Sequence, residues 1–199
     1  IPSEHCIAAN ALSLALYAAL SQEADLVPIV EPEVLMDGDH DIEACREATE
    51  RVLAKVFLLL NEQRVFLEGT ILKVNMILPG KESQNQVSVQ EAAEHTVNSM
   101  RRVVPPALPG IMFLSGGQEA IAATERLNAI NSLPRQPWEL SFSFARGLQE
   151  PAMKAWKGNP ENIRAAQEIL HHRAKCEGAA RFGKYCAELE SEKQRQKAA

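Results

Sequence analysis

The run Val65-Phe66-Leu67-Glu68-Gly69-Thr70-Ile71-Leu72-Lys73 decides how this chain is read. It is apolar, short and closed by a lysine. That length and continuity suit a strand buried on both faces, which feeds its last residue to the sheet's edge. Immediately upstream, Ile42, Cys45, Thr49, Val52, Val56 and Leu59 recur at three- and four-residue steps. They mark the buried stripe of a long helix starting near Asp41. Before it, Val27-Pro28-Ile29-Val30 reads as a short strand, followed by Glu31-Pro32-Glu33 and the polar loop Asp37-Gly38-Asp39-His40. Ser3 is placed to cap a first helix reaching about Ser21, with Ile7, Ala11, Leu14 and Ala18 on one face.

Downstream the alternation continues. Ser88 and Glu91 have capping-box spacing at the start of a helix that Pro105, Pro106 and Pro109 end. Ile111 to Leu114 is a third strand, and Ser115-Gly116-Gly117 leads from it into a helix of about Gln118 to Asn131. A fourth strand runs from about Glu139 to Ser143, and helices fill the remainder. Asn159 caps one of them, Pro160 occupies its first turn and Gly178 is expected to stop it. The last dozen residues are highly polar and are expected to fray.

Short apolar strands alternating with amphipathic helices specify a parallel sheet covered by helices. Four strand–helix units suit either a doubly wound sheet or half of an eight-stranded barrel, and periodicity does not separate the two. With 199 residues, 46% hydrophobic and 24% charged, the composition is that of one globular domain. The net charge of −5 argues against a nucleic-acid surface. No apolar run reaches bilayer length, and Ile1-Pro2-Ser3-Glu4 does not read as a signal peptide. Cys6, Cys45, Cys176 and Cys186 form no CxxC pair and have no histidine at zinc-finger spacing. They read as reduced thiols in a cytoplasmic protein, with Cys45 buried on its helix.

In parallel α/β folds the chemistry gathers at the carboxyl ends of the strands. Those ends carry Glu31 and Glu33, then Lys73, then Ser115-Gly116-Gly117, then Ser143-Phe144-Ala145-Arg146. A lysine closing an apolar strand is expected in a low-dielectric setting, where a neutral amine attacks a ketone to form an imine. From position alone, a solvated strand-end lysine is the favoured reading of Lys73. Glu31 and Glu33 point to one face of an extended segment, placed either for proton transfer or as solvated acids. Ser115-Gly116-Gly117 offers unobstructed backbone N–H groups at a helix start, a phosphate cradle or a plain turn. Arg146 reads as that phosphate's partner or as a surface ion pair. The adjacent His171 and His172 point about 100° apart on a helix and are not joint ligands.

Beyond single residues, several segments carry a resemblance. They are Val27-Pro28-Ile29-Val30-Glu31-Pro32-Glu33, Asp37-Gly38-Asp39-His40-Asp41, Leu67-Glu68-Gly69-Thr70-Ile71-Leu72-Lys73 and Asn75-Met76. Val104-Pro105-Pro106, Gly110 to Gln118, Leu127 to Asn131 and Leu148 to Trp156 continue them in register. Together they resemble class I fructose-1,6-bisphosphate aldolases, above all bacterial ones. The resemblance implies one partial domain over 1–199, the C-terminal half of a TIM (β/α)8 barrel. About 1–177 is barrel and 178–199 a polar helix or tail. It implies Lys73 as imine-forming lysine, Glu31 as acid/base group and Glu33 as support. Ser115, Gly116, Ser143, Ala145 and Arg146 are implied as phosphate ligands. It implies no cofactor and no metal, the imine being the electron sink. The implied partners are sugar phosphates, not nucleic acid or membrane.

The sequence departs from the family's pattern at Val74, where proline is usual, and at Phe144-Ala145, where Tyr-Gly is usual. Leu16 stands where an arginine is common, and the chain ends in Lys197-Ala198-Ala199 rather than a tyrosine. If Ala145 replaces a glycine at positive φ, strain is expected there. The family's first four strands have no counterpart before Ile1. The chain therefore reads as a piece of a longer protein, or as one that pairs with a missing N-terminal half or a second copy. The implied function is reversible Schiff-base cleavage of fructose 1,6-bisphosphate. The alternatives are an inactive fragment that binds sugar phosphates or protein, and an aldolase for another phosphorylated sugar.

Overall fold

In a computed structural model the chain is described over residues 2–196, with side chains through Ser191. Helix α1 spans Glu4–Glu23, α2 Ile42–Glu62, α3 Val89–Val103, α4 Ala120–Ser132, α5 Arg146–Trp156, α6 Ile163–Ala180 and α7 Ala187–Gln196. Strands β1 (Ile29–Val30), β2 (Ile71–Val74), β3 (Gly110–Phe113) and β4 (Glu139–Phe142) form one sheet. All neighbours are parallel, and the spatial order is β1-β2-β3-β4. This order settles the question periodicity left open. A doubly wound sheet reverses its strand order at a switch point, whereas a barrel adds each strand to the outside of the last.

Register sorts the strand residues onto two faces. Val30, Leu72, Ile111 and Leu140 lie side by side and are all buried against the helices. Lys73, Met112 and Ser141 form a row on the opposite face, where Lys73 and Met112 are only partly covered. The helix side holds the main core, including Leu53, Leu60, Phe113, Leu127 and Ile130. Each such side chain contributes about 1.5–3 kcal/mol by leaving water, so stability resides there and the other face is left to polar groups.

The helices begin where their sequences direct. Ser3 Oγ accepts from Cys6 N, Asp41 Oδ1 from Ala44 N and Ser88 Oγ from Glu91 N, each satisfying an orphan donor. Cys45 is buried on α2 as expected. Two expectations are corrected. Residues 65–70 are not strand: Leu67–Gly69 forms a 3-10 turn, with Thr70 Oγ1 donating to the Phe66 carbonyl and Gln22 bracing the turn from α1. Gly178 does not stop its helix. α6 runs to Ala180, and the chain turns instead at Gly183, whose φ of +63° suits only glycine. Beyond it, α7 is helical from Ala187 to Gln196. Residues 197–199 lie outside the described part.

One surface stands out. Leu12, Leu16 and Leu20 recur every four residues along α1 and are exposed, as are Tyr17, Leu26, Val27 and Ile29. They run beside β1, an edge strand of the sheet. Among the described residues no helix is long and apolar enough to cross a membrane.

Candidate active site

The loops after the strands are tied together by backbone bonds. Gly80 N donates to His40 O, Lys81 N to Met36 O and Glu82 N to Gly38 O. This zipper joins the loop after β1 to the loop after β2. Gly80 must be glycine for it, since a methyl group there would lie 2.1 Å from Gly38 O. Asn75, at the end of β2 and 6% exposed, makes a second tie. Its Oδ1 accepts from Val34 N at 3.0 Å, and its Nδ2 donates to Thr49 Oγ1 and Met76 O, both at 3.2 Å. Residues 31–34 are thereby fixed to the strand that carries Lys73.

Lys73 projects from β2 with its Nζ 2.7 Å from Glu31 Oε1. The lysine side chain is 19% exposed and the glutamate 43%. In the low-dielectric setting expected for it, Lys73 sits in a partly screened ion pair. Such a pair holds geometry more than it contributes stability. Glu33 Oε1 stands by Gly116, 3.6 Å from where a methyl group would sit. Glu33, Asn75, Met76, Gly116 and Gln118 share one small crevice.

The Ser115-Gly116-Gly117 turn is shaped by its two glycines. Gly116 and Gly117 have φ of +49° and +82°, and Gln118 N closes the turn on Ser115 O at 2.8 Å. Two cations approach Gly117: a methyl group there would lie 2.6 Å from Lys81 Nζ and 3.5 Å from Arg146 Nη2. Buried Ser115 turns its Oγ to Gly147 N, 3.4 Å away, at the start of α5. Ser143 is set by its N–H to Phe113 O at 2.8 Å. Ala145 caps α5 with φ −86°, so the strain expected from replacing glycine does not arise. Its neighbour Arg146 is exposed at the first position of the helix.

The structure thus brings Lys73 to Glu31, and Ser115, Gly116, Glu33 and Arg146 to one neighbouring turn. Sequence reasoning missed two residues. Lys81 reaches Gly117 while pairing with Asp37 at 3.4 Å; its place after the Pro79-Gly80 turn was the available signal. Asn75, two residues past Lys73, was noticed only as part of a matching segment. A larger cavity of about 580 Å³ adjoins Glu31 and Glu33 but opens between α1 and α2, lined by Ile7, Ala11, Leu14, Cys45 and Val52. It does not include Lys73 or the glycine turn.

Comparison with known proteins gives a consistent result. The family model described as glycolytic fructose-bisphosphate aldolase class-I matches residues 1–199. A fructose-bisphosphate aldolase of Dictyostelium discoideum is 50% identical over 94% of this chain and 52% of its own length. A probable class 1 fructose-bisphosphate aldolase of Xanthomonas campestris is 53% identical over 93% of this chain and 56% of its own. Among solved structures, the Plasmodium falciparum fructose-bisphosphate aldolase, in complex with TRAP and an inhibitor, superposes with a TM-score of 0.92 at 46% identity. It is covered over 54% of its length, against 94% of this chain. The chain spans about half the length of these relatives, as half of a TIM barrel does, and it belongs to the class I fructose-bisphosphate aldolase family.

Proposed function

We propose that this chain supplies the lysine and one phosphate site for Schiff-base cleavage of fructose 1,6-bisphosphate. The products are dihydroxyacetone phosphate and glyceraldehyde 3-phosphate. The observation that carries the reading is the 2.7 Å contact between Lys73 Nζ and Glu31 Oε1 on the sheet's open face. Lys73 must shed a proton before it attacks the C2 ketone, and Glu31 is within hydrogen-bond reach to take it. Glu31 then returns that proton to the departing hydroxyl, giving water and the imine. The protonated imine draws the electron pair of the C3–C4 bond as it breaks, the C4 hydroxyl proton goes to a base, and the aldehyde leaves behind an enamine. A proton added at C3 restores the imine, and water hydrolyses it to dihydroxyacetone phosphate and the free amine of Lys73.

The substrate's phosphate fits the glycine turn. Gly116 and Gly117 carry no side chains that would cover the turn, and Lys81 and Arg146 bring two positive charges to it. Ser115, Ser143 and the Ala145 backbone complete that rim. The unpaired cysteines, two exposed and two buried, support a reducing, cytoplasmic setting.

The exposed Leu12, Leu16 and Leu20 stripe and the β1 edge favour one further element of the reading. They are the surface on which the other four strand–helix units close the barrel, whether in the same chain or another. The test is complementation. The protein is mixed with the first half of a class I relative and assayed for dihydroxyacetone phosphate release. Turnover that disappears with Lys73→Arg supports the reading. A folded complex without turnover supports the alternative, a fragment that only binds.

A further inference from the structure

Away from the rim, α6 and α7 meet over a cluster of side chains that the aldolase chemistry does not use. His172 and Cys176 are one turn apart on α6 and share a face. Glu190 comes across from α7. His172 Nε2 is 3.2 Å from Glu190 Oε2 and 3.7 Å from Cys176 Sγ. The three donor atoms all lie within 4.8 Å of one another.

The 3.2 and 3.7 Å separations match a tetrahedral metal centre, and Cys176 Sγ and Glu190 Oε2, within 4.8 Å of each other, would draw together on binding. Bonds of about 2.0–2.1 Å to nitrogen and oxygen and about 2.3 Å to sulfur place the ligand atoms roughly 3.4–3.6 Å apart. The supporting groups point the same way. The other carboxylate oxygen, Glu190 Oε1, accepts from Arg173 Nη1 at 2.5 Å and from the Tyr185 hydroxyl at 2.9 Å. That leaves Oε2 aimed at His172. Arg173 is itself locked, with Nη2 donating to Glu177 Oε1 at 3.0 Å and to Thr124 Oγ1. Tyr185 N donates to Asn128 Oδ1 at 2.9 Å. Ligands oriented through their second atoms in this way are a hallmark of metal sites.

Hydrogen bonding alone crowds the cluster's donors onto one carboxylate. If His172 carries its proton on Nε2 and gives it to Glu190, the buried Cys176 thiol must give its own to Glu190 as well. If the thiol gives its proton to Nε2, two acceptors face each other at 3.2 Å. A cation removes the conflict, because all three atoms then offer it a lone pair. Charge also balances: a divalent ion with one thiolate and one carboxylate sums to zero, and Arg173 is paired with Glu177. Cys176 is fully buried, whereas the side chains of His172 and Glu190 are 17% and 21% exposed. The open side admits the ion and leaves a fourth position for water.

We propose that His172 Nε2, Cys176 Sγ and Glu190 Oε2 bind zinc, which clamps α7 onto α6. A mixed nitrogen, sulfur and oxygen set suits zinc among the common divalent ions. Binding requires the imidazole proton on Nδ1 and the release of the Cys176 thiol proton to solvent. The site is independent of the reaction at Lys73.

The test is titration of the metal-free protein with cobalt(II), followed by displacement with zinc. The expected result is one equivalent per chain, a thiolate-to-cobalt charge-transfer band, and loss of that band on adding zinc. Cys176→Ser abolishes the band, and His172→Ala and Glu190→Gln weaken binding, while Cys6→Ser and Cys186→Ser leave it intact. Tyr185→Phe, which only loosens Glu190, weakens binding roughly tenfold. Circular dichroism confirms that each variant is folded. A folded wild-type protein with no band overturns the proposal. So does a band that survives Cys176→Ser, or one lost with Cys186→Ser, since either places the metal on another thiol.

Discussion

Replacing Asn75 by alanine tests whether the loop bearing the two glutamates is held from β2. Apart from a long 4.0 Å contact to Cys45 Sγ, the amide makes three hydrogen bonds, to Val34 N, Thr49 Oγ1 and Met76 O. At about 1 kcal/mol each they sum to about 3 kcal/mol. Thr49 is 1% exposed, so its hydroxyl loses a partner where water cannot replace it. Val34 N is partly exposed, and water repairs some of that loss. The expected destabilisation is therefore about 2–4 kcal/mol, read as a lower urea midpoint at unchanged slope. A second effect is specific to this geometry. Without the tether, Glu31 is no longer held 2.7 Å from Lys73, and imine formation slows on the order of 10–100-fold. A stability change under about 0.5 kcal/mol, or an imine rate equal to wild type, would refute the reasoning.

Other outcomes follow from single contacts. Gly80→Ala should break the loop zipper, because its methyl group meets a backbone carbonyl rather than a side chain that can swing away. Protease sensitivity around residues 36–40 and 78–83 reports it. Arg146→Met and Lys81→Met should each weaken binding of dihydroxyacetone phosphate about 10–100-fold, the loss of one charge-assisted bond, with little change in melting temperature. An affinity unchanged in the Lys81→Met variant would remove that residue from the phosphate site. Burial pushes the Cys45 thiol above its usual range and lowers its thiolate fraction at neutral pH. Iodoacetamide should therefore modify exposed Cys6 and Cys186 in the native protein and spare Cys45, as mass spectrometry of the peptides would show.

Much of the architecture was legible because it is written in local signals. Ser3, Asp41 and Ser88 each cap the helix their position indicates. The apolar steps of α2 identify its buried side, although the contact centres on Leu53, Val56 and Leu60 rather than Val52 and Leu59. Where the reading failed, a nonlocal contact decided. Residues 65–70 have strand-like composition, but Gln22 from α1 braces them as a turn. Strand order is likewise nonlocal, and only the sheet separates a barrel half from a doubly wound domain. At the site, the sequence indicates which residues reach the rim because strand ends reach it by construction. It does not indicate pairing. That Glu31 rather than Glu33 meets Lys73, and that Lys81 reaches Gly117, depends on loop paths fixed by Asn75 and Gly80. Ala145 looked costly by analogy, and its negative φ removes the cost.

The central claim is that Lys73 is the amine that forms the imine. The most direct measurement is incubation with dihydroxyacetone phosphate, reduction with borohydride, and mass spectrometry of the peptides, on a sample shown to be folded. The account predicts one reduced adduct, on Lys73, its yield cut by Glu31→Gln and removed by Lys73→Arg. An adduct spread over several lysines, or none at all, would contradict it.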